Sequence, residues 1–155
     1  MPFVDVAAIR ETLEFALLET FESGKDPTAG TMYLDKKSGF FDSIDQLSAE
    51  DASRQVIPGG TTIVAQVYHS LFYLQVLERY MQGHKEKANW DESWQVRELD
   101  EAGWSELKTK LKTAYQRIRD YFKTQDDWEQ LETGFPIVIH TAYHLGAIRQ
   151  MLKLI

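Results

Sequence analysis

The sequence predicts an all-α fold, a four-helix bundle whose helices run up, down, down and up with long crossover connections. Four segments carry apolar residues at helical spacing, and no segment shows convincing strand-like alternation. With 155 residues and 43% hydrophobic content, the chain is long enough to bury a core. We therefore expect one helical domain over 1–155.

The first helix is predicted over about 6–21, where apolar residues recur every three or four positions. Gly24 and Pro27 close it, since neither residue favours continuing a helix. A looser connection follows over 29–60. Within it, a serine followed three residues later by an aspartate predicts a short helix near 48–54.

The other three long helices are bounded by turn and capping residues. The Pro-Gly-Gly-Thr-Thr turn at 58–62 supplies a hydroxyl cap for a second helix over about 62–82. A third helix is predicted over about 102–123 from its apolar stripe. Gly134 and Pro136 open the fourth, because proline suits the first helical turn.

The lengths of the connections predict the topology. A helix of 21 residues is about 31 Å long, and the connection 84–100 can extend to about 55 Å, enough to run back along the bundle. Helices two and three are therefore expected to be parallel. The shorter connection 124–135 favours antiparallel helices three and four, which gives the up-down-down-up order.

Three of the four histidines lie on helix faces expected to point inward. His140 and His144 are four residues apart in the fourth helix, so their imidazoles share one face. His69 lies in the apolar second helix. Together the three can hold a metal ion. The alternative is that they are core histidines with ordinary hydrogen-bond partners. His69, His140 and His144 all lie near helix starts. If their helices are antiparallel, the helices must therefore be displaced along each other or crossed to bring the imidazoles to the same height.

Three imidazoles suit zinc, nickel, copper or iron, whereas magnesium and calcium prefer oxygen ligands; zinc and nickel are the metals we expect first. Three protein ligands also leave a position open for water or substrate. The spacing matches the zinc-protease motif His-Glu-x-x-His, but Thr141 stands in place of the catalytic glutamate. The sequence therefore argues against a peptidase of that type.

Other residues near the histidines allow two interpretations. Gln66 is either a hydrogen-bond partner of the site or solvated, and Tyr73 and Tyr143 either line a pocket or pack in the core. Gly146 would permit close helix approach. The tryptophans are predicted to be core or cap residues: Trp90, Trp94, Trp104 and Trp128.

Composition excludes several function classes. The net charge of −7 and a pI near 5.1 argue against nucleic acid and anionic membranes. The chain has no cysteine, which excludes disulfides and Cys-ligated zinc. It shows neither a signal peptide nor an uninterrupted apolar run of about 18 residues. We therefore expect a soluble cytoplasmic protein. As its partner we expect a small-molecule substrate.

Three pieces of the sequence resemble the DinB/YfiT-like metalloenzyme family. They are Leu-Ser-Ala-Glu-Asp at 47–51 leading to Pro-Gly-Gly-Thr-Thr-Ile at 58–63, Val-Tyr-His at 67–69, and His-Thr-Ala-Tyr-His-Leu-Gly-Ala-Ile-Arg-Gln at 140–150. They occur in order and cover most of the chain after residue 40. Relatives often have glutamine where this chain has Ala147, a departure that leaves the ligands intact.

The resemblance implies a four-helix bundle whose three-histidine metal site maps onto His69, His140 and His144. It also implies a metal-dependent transferase or isomerase that uses a low-molecular-weight thiol, and it is compatible with a homodimer. It identifies no catalytic residue beyond the metal ligands. Two alternatives remain: a non-catalytic bundle that binds a metal or small ligand, and a purely structural bundle.

Overall fold

A computed structural model describes residue 3, residues 5–24 and residues 31–155, and the described chain contains helices and no strands. The predicted stop at Pro27 lies outside the described residues. Two short 3-10 segments cover Trp90–Trp94 and Leu152–Leu154. The α-helices in chain order are α1 (Val6–Glu22), α2 (Phe40–Ile44), α3 (Ala49–Ser53), α4 (Ile63–Met81), α5 (Glu101–Phe122), α6 (Trp128–Leu131) and α7 (Gly134–Met151).

The helices begin and end where the sequence supplies caps. The side chains of Ser48, Thr62 and Asp100 each accept a hydrogen bond from the backbone N–H three residues along, at the starts of α3, α4 and α5. Gly24 and Gly83 follow the ends of α1 and α4 with φ of 88° each, in the left-handed region that glycine tolerates. The predicted helix bounds are confirmed to within one or two residues, except at the end of the fourth helix. That helix was expected to run to the C-terminus, but it ends at Met151 and is followed by the 3-10 segment Leu152–Leu154.

Helices α4 and α5 are parallel, as the long connection predicted. Near their starts, the Thr62 hydroxyl donates to the backbone oxygen of Arg97 at 2.5 Å. Near their ends, the Arg117 guanidinium donates to the Glu78 carboxylate at 2.5 and 3.0 Å. The connection between them therefore returns along the bundle.

Helices α4 and α7 are antiparallel and displaced along each other. Gln66 contacts His144, and His69 contacts His140, so position along α4 rises as position along α7 falls. These contacts lie in the first half of α4 but around the middle of α7, a displacement of about 7 Å along the axis. This displacement brings the histidines level.

Helix α1 completes the bundle by running antiparallel to α5. Phe21, near the end of α1, stacks on Tyr115 with ring centroids 4.3 Å apart. Arg10, near the start of α1, pairs with Asp126 just beyond the end of α5. The four long helices α1, α4, α5 and α7 therefore run up, down, down and up, and the predicted bundle is confirmed.

The tryptophans differ in their burial. Trp104 lies in the core, only 1% exposed, and its indole N–H donates to the backbone oxygen of Leu47 at 2.8 Å. Trp90, Trp94 and Trp128 are 39, 38 and 45% exposed and lie at the ends of short helical segments, so of the two predicted positions the cap applies to these three. None of the described helices is long and apolar enough to cross a membrane.

Gly146 lies on the exposed face of α7, and a Cβ placed there would have no neighbour within 4 Å. The expectation that it permits close helix approach is therefore wrong. Replacing it with alanine should raise the free energy of unfolding by about 0.5–1 kcal/mol, because alanine loses less backbone entropy on folding. Urea denaturation followed by circular dichroism measures the change.

Gly134, at the start of the same helix, is the matched control. A Cβ there would lie 2.4 Å from a methyl carbon of the fully buried Leu13. The Gly134→Ala variant should therefore be less stable than wild type. Equal effects of the two substitutions would contradict this account of both glycines.

Candidate metal centre

The three predicted histidines converge where α4 and α7 pack together. His140 and His144 lie one turn apart on α7, and His69 faces them from α4. The Nε2 atom of His140 lies 3.1 Å from the Nε2 atoms of both His69 and His144. His69 and His144 are buried and His140 is half-buried, so the expected inward placement is complete for two of the three.

Two of the imidazoles are oriented by buried acceptors. The Ser93 hydroxyl donates its proton to the Trp90 backbone oxygen at 2.6 Å, so it accepts from the His69 Nδ1–H at 2.7 Å. The His144 Nδ1–H donates to the Gln66 side-chain oxygen at 2.6 Å. These hydrogen bonds place the protons of both rings on Nδ1 and leave their Nε2 lone pairs directed at the centre of the cluster.

His140 differs from the other two. Its Nδ1 atom is buried and has no hydrogen-bond partner among the described residues. The tautomer with its proton on Nε2 can donate to the lone pairs of both His69 and His144. A metal ion at the centre would take the position of that proton, and His140 would then carry its proton on Nδ1.

The surroundings keep the imidazoles neutral. Burial, followed by interaction with His144 and His69, lowers the pKa of His140 to about 3. Burial, followed by interaction with His69, lowers the pKa of His144 to about 4. Burial also lowers the pKa of His69. Neutral imidazole is the form that binds metals, so near neutral pH all three rings are in the form that can bind.

The distances fit a transition-metal ion. Zinc–nitrogen bonds of about 2.0–2.1 Å place two ligand nitrogens of a tetrahedral site about 3.3–3.4 Å apart. The observed separations of 3.1 Å differ from this by a few tenths of an ångström. The ligand nitrogens of the cluster lie within 4.8 Å of one another. The three histidines are therefore close enough to hold one metal ion and leave a further coordination position open.

Aromatic rings surround the imidazoles. Trp94 stacks on His69 with centroids 4.0 Å apart and planes 15° apart. Tyr73 stacks on His140 with ring centroids 3.6 Å apart and ring planes 9° apart. Tyr143 packs edge-on against His144 with ring centroids 5.1 Å apart, and it is 75% exposed. Both tyrosines therefore border the site, and neither is fully buried in the core.

The structure decides one interpretation and adds two residues. Gln66, for which partner and solvated positions were equally expected, is buried and bonded to His144. Ser93 and Trp94 were not predicted to contact the site. The sequence feature that could have pointed to them is a serine near two tryptophans in a polar connection. Such a segment is expected to pack against the bundle, but the sequence does not identify which residues it contacts.

Removing either buried acceptor should weaken metal binding. Ser93→Ala or Gln66→Leu should lower the affinity for Zn²⁺ about 10–100-fold, because the partner imidazole loses the bond that orients it. Competition with a chromogenic chelator measures this affinity. Ser105→Ala, on the exposed face of α5, is the matched control and should bind like wild type. Wild-type affinity in both site variants would show that these hydrogen bonds do not orient the ligands.

Comparison of the chain with protein-family models, with curated proteins and with solved structures found no significant match. Membership of the DinB/YfiT-like family therefore stays a prediction that rests on the motifs of the sequence.

Proposed function

We propose that His69, His140 and His144 bind a divalent transition metal, zinc or nickel, in a DinB/YfiT-like bundle. The open position would take a low-molecular-weight thiol, and the protein would act as a thiol-dependent transferase or isomerase on a small electrophilic substrate. The observation that carries the proposal is the convergence of three Nε2 atoms. Two of the imidazoles are oriented by buried acceptors that bond their Nδ1 atoms.

The chain's own groups favour an anionic ligand at the open position. The three imidazoles are neutral, and the acceptors behind them, Ser93 and Gln66, are neutral as well. These groups leave the charge of a divalent ion uncompensated. Such an ion lowers the pKa of a bound thiol, so that the thiolate is held ready to attack an electrophile.

Metal analysis of untagged protein tests the binding half of the proposal. Wild type should carry about one equivalent of zinc or nickel, and His69→Ala should carry little. His84→Ala is the matched control, because His84 is exposed and lies outside the cluster. A metal-free wild type that takes up neither ion on addition would overturn the proposal.

A panel of thiols with an activated aryl chloride tests the catalytic half. The metal-loaded protein should accelerate thiol conjugation relative to the chelator-treated protein, and His69→Ala should lose the acceleration. Tight metal binding without turnover across the panel would favour the alternative function, a non-catalytic metal- or small-ligand-binding bundle.

A further inference from the structure

The 3-10 segment Trp90–Trp94 is fixed onto the histidine cluster. Ser93, the fourth residue of the segment, is fully buried and bonds both to His69 and to the Trp90 backbone oxygen. The two tryptophans at the ends of the segment are therefore held in place beside the candidate metal ligands.

Both indoles combine contact with the site and exposure to solvent. Trp94 stacks on His69 and lies 5.8 Å from His144, yet 38% of it is exposed. The ring centroid of Trp90 lies 5.7 Å from that of Phe72 and 5.9 Å from that of Tyr73, and 39% of Trp90 is exposed. The buried parts pack on neighbouring rings, and the exposed parts leave apolar surface available to a ligand.

Tyr143 also borders the cluster, beside His144, and we call Trp90, Trp94 and Tyr143 the aromatic rim. Trp90 also lines a groove of about 410 Å³ together with Lys87, Ala88, Asn89 and Asp91. A ligand that extends from the proposed metal towards this segment would therefore meet the rim.

The charge beside the rim restricts the ligand further. The 3-10 segment also carries Asp91 and Glu92, both exposed, against one lysine, Lys87, in the groove that Trp90 lines. The whole chain has a net charge of −7. An anionic tail would be repelled there, whereas an uncharged planar ring would stack on the indoles.

We propose that the ligand of this site carries an uncharged aromatic or heteroaromatic group that stacks on the aromatic rim while its other end reaches the metal. This inference rests on the proposed metal site and names the class of its substrate. The rim supplies flat apolar surface next to the open coordination position, and it thereby selects among electrophiles that the metal-bound thiol alone would not distinguish.

Hydroxamates provide probes with one metal-binding head and different tails. Isothermal titration of the Zn²⁺-loaded protein with acetohydroxamate, benzohydroxamate and 2-naphthohydroxamate should show affinity rising roughly tenfold from the methyl to the naphthyl tail, as expected for one aromatic stacking contact. A benzohydroxamate with a carboxylate at the para position should bind more weakly than benzohydroxamate.

Variants separate the rim from the metal. Trp90→Leu should bind Zn²⁺ like wild type but lose most of the preference for the naphthyl tail, and Trp94→Leu provides a second rim variant. Trp128→Leu is the control, because Trp128 is 45% exposed and packs on Phe135. The Trp128→Leu variant should prefer the naphthyl tail as strongly as wild type does.

The outcomes distinguish this inference from the proposed function. Two results would overturn the aromatic ligand class and leave the metal site standing. One is that the Zn²⁺-loaded protein binds the three hydroxamates with equal affinity. The other is that both rim variants keep the preference for the naphthyl tail. Failure of wild type to bind Zn²⁺ would overturn both proposals, and the metal content measured before any hydroxamate is added identifies that case.

Discussion

The His140→Ala variant should lose more Zn²⁺ or Ni²⁺ affinity than the roughly 10–100-fold expected for loss of an outer hydrogen-bond partner. The Nε2 atom of His140 lies 3.1 Å from those of both His69 and His144, so its removal leaves two ligands instead of three. Chelator competition at neutral pH measures the loss, with His84→Ala as the control.

The same substitution should cost little stability in the absence of metal. The Nδ1 atom of His140 is buried without a partner among the described residues. Its removal eliminates an unsatisfied polar atom, which offsets the loss of the Nε2–H donor to His69 and His144. Urea denaturation of the metal-free variant checks this, and His140→Gln tests a side chain that retains a polar end. Wild-type metal affinity in a folded His140→Ala protein would remove this residue from the site.

The Glu19→Ala variant should lower the free energy of unfolding by about 3 kcal/mol or more. The Glu19 carboxylate is fully buried and accepts backbone N–H bonds from Met32, Tyr33 and Leu34 at 2.9, 2.7 and 2.7 Å. Without it, three donors lose a charged acceptor, at roughly 1–3 kcal/mol for each donor left unsatisfied. Equilibrium unfolding in urea measures the difference.

Two variants sharpen that result. Glu19→Gln should have an intermediate effect, because one oxygen remains while an amide donor replaces the other. Glu11→Ala, on the exposed side of the same helix, should stay within about 0.5 kcal/mol of wild type. If Glu19→Ala and Glu11→Ala proved equally stable, the three hydrogen bonds would contribute nothing net.

The fold was predictable where its determinants are close together in the sequence. The Thr62 side chain caps α4 by accepting from a backbone N–H only three residues away. Gly83 ends the same helix by adopting the left-handed conformation itself. The topology followed from the lengths of the connections. The histidines required α4 and α7 to be either displaced or crossed. Which of the two occurs, and by how much, depends on how the side chains of two distant helices interlock.

The site was predictable in its ligands and not in their supports. His140 and His144 show their shared face by spacing, and His69 stands out as a polar residue in an apolar helix. Ser93 contacts His69 across 24 residues of a connection whose path no periodicity encodes. Glu19 was missed for the same reason, since its three donors lie in a loop that follows the helix.

The contact between His69 and His140 joins residues 71 positions apart in the chain. In the unfolded chain, bringing these residues together carries the full entropic cost of closing that loop, and only the His140–His144 pair is local. The complete set of donors therefore exists only after α4 and α7 have docked. A metal ion that needs all three ligands binds the native state almost exclusively, so its binding free energy adds to the folding free energy, by about 4 kcal/mol at a free concentration a thousand times Kd. If the proposed site binds metal, its occupancy would report the folded fraction, and the metal concentration would shift the folding equilibrium towards the native state.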